Sequence, residues 1–297
     1  MASAPTSLET KEAALVAWLR ARGSVLVGFS GGVDSAYLAC VAVEALGAAP
    51  VLAVIGRSAS YPAAQWARAR AVADRFAIPV LELDTEELAD ARYAANPVNR
   101  CYFCKTELWS RLVPVARARG LAVVVDGTNA DDLGDHRPGA QAAREHDVAS
   151  PLAELGFTKA EIRAGSARRG IPTWDQPASP CLASRLPYGT AVTPLRLRTV
   201  ETAEAALRAL GVEGNLRVRH FGERARVELD PIPLARWGTG VAAAQAMDAV
   251  RAAGFDTVEF APFRSGALNV LAGIIASDEP RSTHAATGGA IAVGEGA

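Results

Sequence analysis

The sequence is poor in lysine. Lys11, Lys105 and Lys159 stand alone among 31 basic residues, which are otherwise arginine. Acidic residues number 32, so the formal net charge is −1 and no surplus of positive charge recommends a nucleic-acid partner. Long apolar runs are missing, and none approaches the ~20 residues that a membrane span needs. Residues Met1 to Ser7 carry no basic segment leading into an apolar one. No signal peptide is expected, and the cytoplasm is the expected compartment. Cysteine is sparse, with four in 297 residues, and structural disulfides are not expected there. Half of the residues are hydrophobic, enough for one large core or two smaller ones.

What is present alternates. Periodicity predicts helices over 8–22, 34–46, 62–77 and 101–119, with Gly23, Gly47 and Gly120 as stops. Apolar runs at 25–29, 51–55, 80–83 and 121–125 read as buried strands between them. Such alternation implies an α/β fold with a parallel sheet, its ligands at the carboxyl ends of the strands. The loop at Ser30, the pair Arg57-Ser58 and the run Asp126–Asn129 fall at such ends. Residues 173–187, rich in Pro and Ser, read as a linker. Beyond it, a helix over 194–210, a hairpin from 215–220 and 225–229, a helix over 242–253 and a strand at 257–260 predict a smaller α+β domain. The expected division is 1–175, 176–276 and a disordered Gly- and Ala-rich tail, 277–297.

The most informative block is Gly28-Phe-Ser-Gly-Gly-Val-Asp-Ser35, between a buried strand and an apolar helix. It places bare N–H groups and the hydroxyls of Ser30 and Ser35 at a helix N-terminus, a ready anion site. Gly31 and Gly32 let backbone approach phosphate. The spacing is not that of a Walker A loop. Ser30-Gly31-Gly32-Val33-Asp34-Ser35 instead resembles the PP-loop of the ATP pyrophosphatases, which split ATP between the α and β phosphates.

Cys101 and Cys104 stand at i, i+3 by a helix start, where a thiol pKa is expected to fall. Cys181 sits in the linker. Three thiolates can hold three irons of a [4Fe-4S] cluster and leave the fourth open. Zinc would want a fourth ligand, and His136, His146, His220 and His284 show no ligand spacing to Cys101. A redox pair, or Cys181 as a simple nucleophile, stays open. Cys40 lies on an apolar helix face and is expected in the core. Thr128 and Asn129 are candidate donors to phosphate or substrate, Asp131 or Asp132 a candidate Mg²⁺ ligand, and Arg137 a further phosphate contact. Arg217 and Arg219 share one face of a predicted strand, as a paired anion site or as a charged face balanced by Glu223 and Glu228.

These segments stand together with Asn96-Pro-x-Asn99-Arg-Cys101-Tyr-x-Cys104-Lys105, Cys181-Leu-Ala-Ser-Arg185-x-Pro-Tyr-Gly189 and Phe263-Arg-Ser-Gly266. In that order, across roughly residues 8–276, they resemble the LarE family of ATP-dependent sulfur transferases, which act in nickel-pincer nucleotide synthesis. The resemblance implies ATP and Mg²⁺ as cofactors. Ser30–Ser35 would hold the nucleotide, with Arg57, Thr128 and Asn129. It implies a pyridinium nucleotide substrate, pyridinium-3,5-biscarboxylic acid mononucleotide, with its phosphate on Arg217 and Arg219. Each carboxylate would be adenylated and converted to a thiocarboxylate. Some family members sacrifice the sulfur of one cysteine, matching Cys181. Others bind a [4Fe-4S] cluster through three, matching Cys101, Cys104 and Cys181, and this chain fits the second style. The sulfide source is unknown, and a homo-oligomer is expected. Rival readings are a tRNA thiolase, an ATP-dependent amide ligase and a non-catalytic nucleotide-binding scaffold.

Overall fold

The computed structural model describes residues 7–134 and 138–273, so Arg137 and the tail 277–297 lie outside the described residues. The N-terminal part runs α1 (Leu8–Arg22), β1 (Val25–Gly28), α2 (Val33–Leu46), β2 (Val51–Arg57), α3 (Ala63–Arg75) and β3 (Val80–Asp84). It continues with α4 (Ala91–Ala94), α5 (Arg100–Ala118), β4 (Val123–Val125), α6 (Pro138–Glu145), α7 (Pro151–Glu154) and α8 (Lys159–Arg168). Four strands form a parallel sheet in the order β3-β2-β1-β4. Chain order reverses between β1 and β4, which opens a crevice at their carboxyl ends. Both strands are apolar without alternation because helices cover both faces of the sheet. On one face α2 is buried along most of its length, with Cys40 in that core. On the other, Trp109 of α5 is fully buried against Leu26, Leu52 and Val54.

Sequence reasoning left α6, α7 and α8 unassigned. Helix α8 starts at a capping box, in which Thr158 and Glu161 each bond the other's backbone N–H. Lys11 donates to Gly156 O and to Glu161, both near 2.8 Å or below, and so fixes this start to α1.

The C-terminal part contains α9 (Pro194–Ala209), β5 (Leu216–Phe221), β6 (Arg224–Leu229), α10 (Pro231–Trp237), α11 (Gly240–Ala252), β7 (Thr257–Pro262) and α12 (Ala267–Leu271). The β5–β6 hairpin is antiparallel, and β7 returns parallel to β6. Its core also takes in Tyr93, Leu88, Phe103 and Cys104 from the N-terminal part. Among the described residues no helix is long and apolar enough to cross a membrane.

The joint between the two parts is polar and buried. Asn96 is fully buried at φ +56° and donates to Pro187 O at 2.8 Å and Thr190 O at 2.9 Å. Arg100 donates to the Asn96 side-chain oxygen and to Ala183 O. Asn96→Ala should lower the unfolding free energy in urea by about 3 kcal/mol or more, because buried partners lose ~1–3 kcal/mol each when left unpaired. The exposed Asn99→Ala should stay within about 0.5 kcal/mol of the parent.

Candidate active site

The loop after β1 closes on itself. Ser35 Oγ sits 3.1 Å from Ser30 Oγ, accepts from Ser30 N and donates to Gly32 O. The carbonyl of Ser30 accepts from Tyr61 OH and Gln65 Nε2, both at 2.9 Å. Gly31 has φ +68°, and a Cβ there would lie 2.5 Å from the Ala69 methyl of α3. The loop after β4 comes equally close, since a Cβ on Gly127 would lie 2.9 Å from Ser35 N. These two loops bound a cavity of about 310 Å³.

Asp34 points into this cavity. It accepts from Asn129 Nδ2 at 3.2 Å and pairs with Lys159 of α8. Asp132 also lines the cavity, while Arg68 and Arg163 add positive charge. Asp34 and Asp132 are the carboxylates in the cavity wall that could serve Mg²⁺, which takes one or two carboxylates and completes its shell with phosphate oxygens and water, although Asp132 also accepts from Asn129 N at 3.1 Å. Asp131 does something else: it accepts from the Lys159 backbone N–H at 2.7 Å and so caps α8. Thr128 is likewise engaged, both its N–H and its hydroxyl donating to Asp126. Asn129 is buried and orients Asp34. Arg57 stands apart, half exposed and bound to Glu82 and Asp84.

The far wall of the cavity is the Pro- and Ser-rich segment read as a linker. It is an exposed strap held by its carbonyls. Arg163 donates to Trp174 O and Gln176 O, both at 2.6 Å. Arg217 donates to Ala178 O. Arg185 donates to Pro180 O at 2.5 Å and Cys181 O at 3.2 Å, while Glu204 accepts from it at 2.9 and 3.0 Å. The strap ends at Cys181, after which a short helical turn covers Leu182–Arg185.

Behind the strap lies a second cavity of about 260 Å³, onto which Cys101, Arg217, Arg219 and Phe263 open. Cys101, Cys104 and Cys181 stand within electrostatic reach of one another. The expected fall in thiol pKa does not occur. Burial pushes the Cys104 thiol up, and Glu87 adds to it. Burial of the thiol followed by Cys181 pushes Cys101 up, although the residue as a whole is exposed. Desolvation therefore outweighs the helix N-terminus here. Among the described residues no three His, Cys, Asp or Glu side chains are grouped to hold a metal ion. A single zinc with bonds of about 2.3 Å needs such a tight group. In a [4Fe-4S] cluster each thiolate binds a different iron, so that donor set does not require the thiols to meet at one ion.

Arg217 and Arg219 face this same cavity with different surroundings. Arg219 is paired with buried Glu228 at 2.8 Å and donates to Ser184 O. Arg217 has no carboxylate bound to it among the described residues; burial, with Arg185 beside it, pulls it down to about 10. Sequence reasoning missed Lys159, Arg163 and Arg68. The Thr158-x-x-Glu161 spacing was a legible sign of a helix there.

A family model described as NAD synthase matches residues 13–117, the part that contains the glycine-rich loop. An uncharacterized protein of Synechocystis sp., slr1717, is 43% identical over 82% of this chain and 91% of its own length. The pyridinium-3,5-bisthiocarboxylic acid mononucleotide synthase of Lactiplantibacillus plantarum is 34% identical over 89% of this chain and 95% of its own. An uncharacterized protein of Methanocaldococcus jannaschii, MJ0830, is 27% identical over 69% and 77%.

The tight fit of Gly31 on Ala69 gives a direct test of the loop. Gly31→Ala must displace it, and ATP affinity measured by calorimetry should fall at least tenfold, equivalent to ~1.4 kcal/mol.

Proposed function

The chain belongs to the LarE family, that of the pyridinium-3,5-bisthiocarboxylic acid mononucleotide synthase, and from that premise we propose that it is an ATP-dependent sulfur transferase. Its substrate is then pyridinium-3,5-biscarboxylic acid mononucleotide, whose carboxylates become thiocarboxylates. The observation that carries this reading is the strap: a glycine-rich anion loop opens on one side of it and the thiol cavity on the other.

A carboxylate oxygen is a poor leaving group, and transfer of AMP to it, with release of pyrophosphate, corrects this. The Ser30–Ser35 loop and the α2 N-terminus bind the phosphates through backbone N–H groups and hydroxyls. Lys159, paired with Asp34 here, carries a mobile point charge suited to a phosphate, leaving Asp34 and Asp132 to Mg²⁺. Arg217 holds the phosphate of the substrate through charge-assisted bonds. AMP leaves as sulfur attacks the acyl carbon. Cys101, Cys104 and Cys181 would hold a [4Fe-4S] cluster, whose open iron supplies sulfide in place of a cysteine sulfur. The alternative, sacrifice of the Cys181 sulfur, leaves the paired Cys101 and Cys104 without a role.

Three measurements test this. Asp34→Ala and Ser35→Ala should each abolish substrate-dependent pyrophosphate release, and unchanged release in both sinks the nucleotide assignment. Arg217→Ala should weaken binding of the phosphorylated substrate far more than binding of ATP. Anaerobic protein should be brown, with about four irons per chain. Single Cys→Ala changes at 101, 104 and 181 should lower that content and Cys40→Ala should not. Colourless reconstituted protein that transfers at most one sulfur and loses H₂S from Cys181 restores the sacrificial route.

A further inference from the structure

A third cavity, of about 510 Å³, lies along the strap between the other two. Arg68 lines it and the nucleotide cavity; Arg217 lines it and the thiol cavity. Arg208 completes a set of three guanidinium groups, with exposed Glu213 the one carboxylate in the wall among the described residues. None of the three arginines forms an ion pair among the described residues. Arg208 donates to Val212 O at 2.7 Å and Gly214 O at 2.6 Å, and Arg217 to Leu216 O and Ala178 O. Arg68 makes no hydrogen bond or ion pair at all with described residues.

Carbonyls satisfy N–H groups but do not neutralise charge. Partial burial lowers the pKa of Arg208, a residue still exposed on its outer side, and Arg68 opposes its charge further; buried Arg217 feels Arg185, Arg219 and Arg208 in the same way. Glu204 offsets both in part but is itself bound by Arg185, and Asp230 and Glu213 also favour the charge of Arg208. A ligand with more than one negative charge would complete a compensation that the protein supplies only in part. Arg219, by contrast, already has Glu228.

We infer that this middle cavity is a phosphate-binding site in which Arg68 and Arg208, rather than Arg219, are the partners of Arg217. The inference rests on the proposed function only for the identity of the phosphate carrier. That carrier is either the mononucleotide substrate or the pyrophosphate released from ATP, and both present the same dianionic chemistry. A phosphate anchored here reaches toward either neighbouring cavity, because each shares an arginine and Ala178 with this one.

The test measures binding of three probes to the full chain: nicotinic acid mononucleotide, its phosphate-free nucleoside, and inorganic pyrophosphate. Wild type should prefer the mononucleotide to the nucleoside by about tenfold or more, as charge-assisted bonds would give. Arg68→Gln and Arg208→Gln should each remove most of that preference and leave nucleoside affinity unchanged. Arg68→Gln should keep the wild-type unfolding midpoint, since that side chain has no hydrogen-bond or ion-pair partner among the described residues to lose. If pyrophosphate rather than the mononucleotide depends on Arg68 and Arg208, the site stands and its ligand is the released diphosphate. If the mononucleotide does not bind at all, the substrate assignment fails, and the pyrophosphate arm alone decides the site. The inference is overturned if neither anion binds, or if anion affinity is the same in both variants as in wild type.

Discussion

Guanidinium groups bound to backbone carbonyls hold this site together. The strap from Trp174 to Cys181 belongs to no sheet or helix, and its residues from Pro177 to Pro180 are exposed. Even Trp174 is left exposed, so burial does not fix the path of the strap. Its position comes instead from Arg163 on the nucleotide side and from Arg217 and Arg185 on the other. Two of these arginines each grip two strap carbonyls. A planar fork with several donors does this with little loss of rotamer freedom per bond, which a lysine cannot match. Cys181 is placed at the end of this line, so its location relative to the glycine-rich loop depends on all three contacts.

The sheet order supplies the other fixed reference. Reversal between β1 and β4 brings the Ser30 loop and the Asp126 loop side by side, and Gly127 allows them to touch. Most of the polar residues of the Asp126 loop then serve the loop itself. Asp126 binds Thr128 and Ser150, Asn129 orients Asp34, and Asp131 caps α8. The cap matters because it sets the first residue of α8, Lys159, against Asp34. A helix absent from the periodicity-based reading thus supplies the cation nearest the anion loop.

Much of this was legible in the sequence, for identifiable reasons. The β1 and β2 runs are buried on both faces, so continuous apolar residues marked them without ambiguity, and Ser30–Ser35 sits where a parallel sheet binds ligands. Helix α1 is bounded by Ser7 and Gly23, as its cap residues foretell. What stayed hidden depends on pairings distant in sequence. Arg57 is drawn to Glu82 and Asp84 on the neighbouring strand, and nothing local to Arg57 shows that. Arg217 and Arg219 look equivalent by alternation, yet Glu228 across the hairpin binds one and not the other. The thiol pKa values were misjudged because a helix N-terminus is visible in sequence whereas burial is not.

Lysine scarcity acquires a physical meaning in this setting. Where the chain must be fixed, at the strap and in the buried Arg100–Asn96 joint, it uses arginine, whose fork satisfies several acceptors and keeps its charge when buried. Lys11 ties α1 to the start of α8, and Lys105 lies 4.9 Å over the Trp109 ring and beside the Cys101 and Cys104 thiols. Lys159 is the third. It is partly exposed, bound to one carboxylate, and carries a compact charge on a flexible stem. Such a group can leave Asp34 for a phosphate at the cost of a single, solvent-screened ion pair of ~1 kcal/mol or less. Each strap arginine would have to release two or more bonds to make a comparable move. Rigid forks along the strap therefore hold the wall between the cavities, and the one less constrained ammonium stands at the Ser30 loop, where the proposed function would have it meet a phosphate.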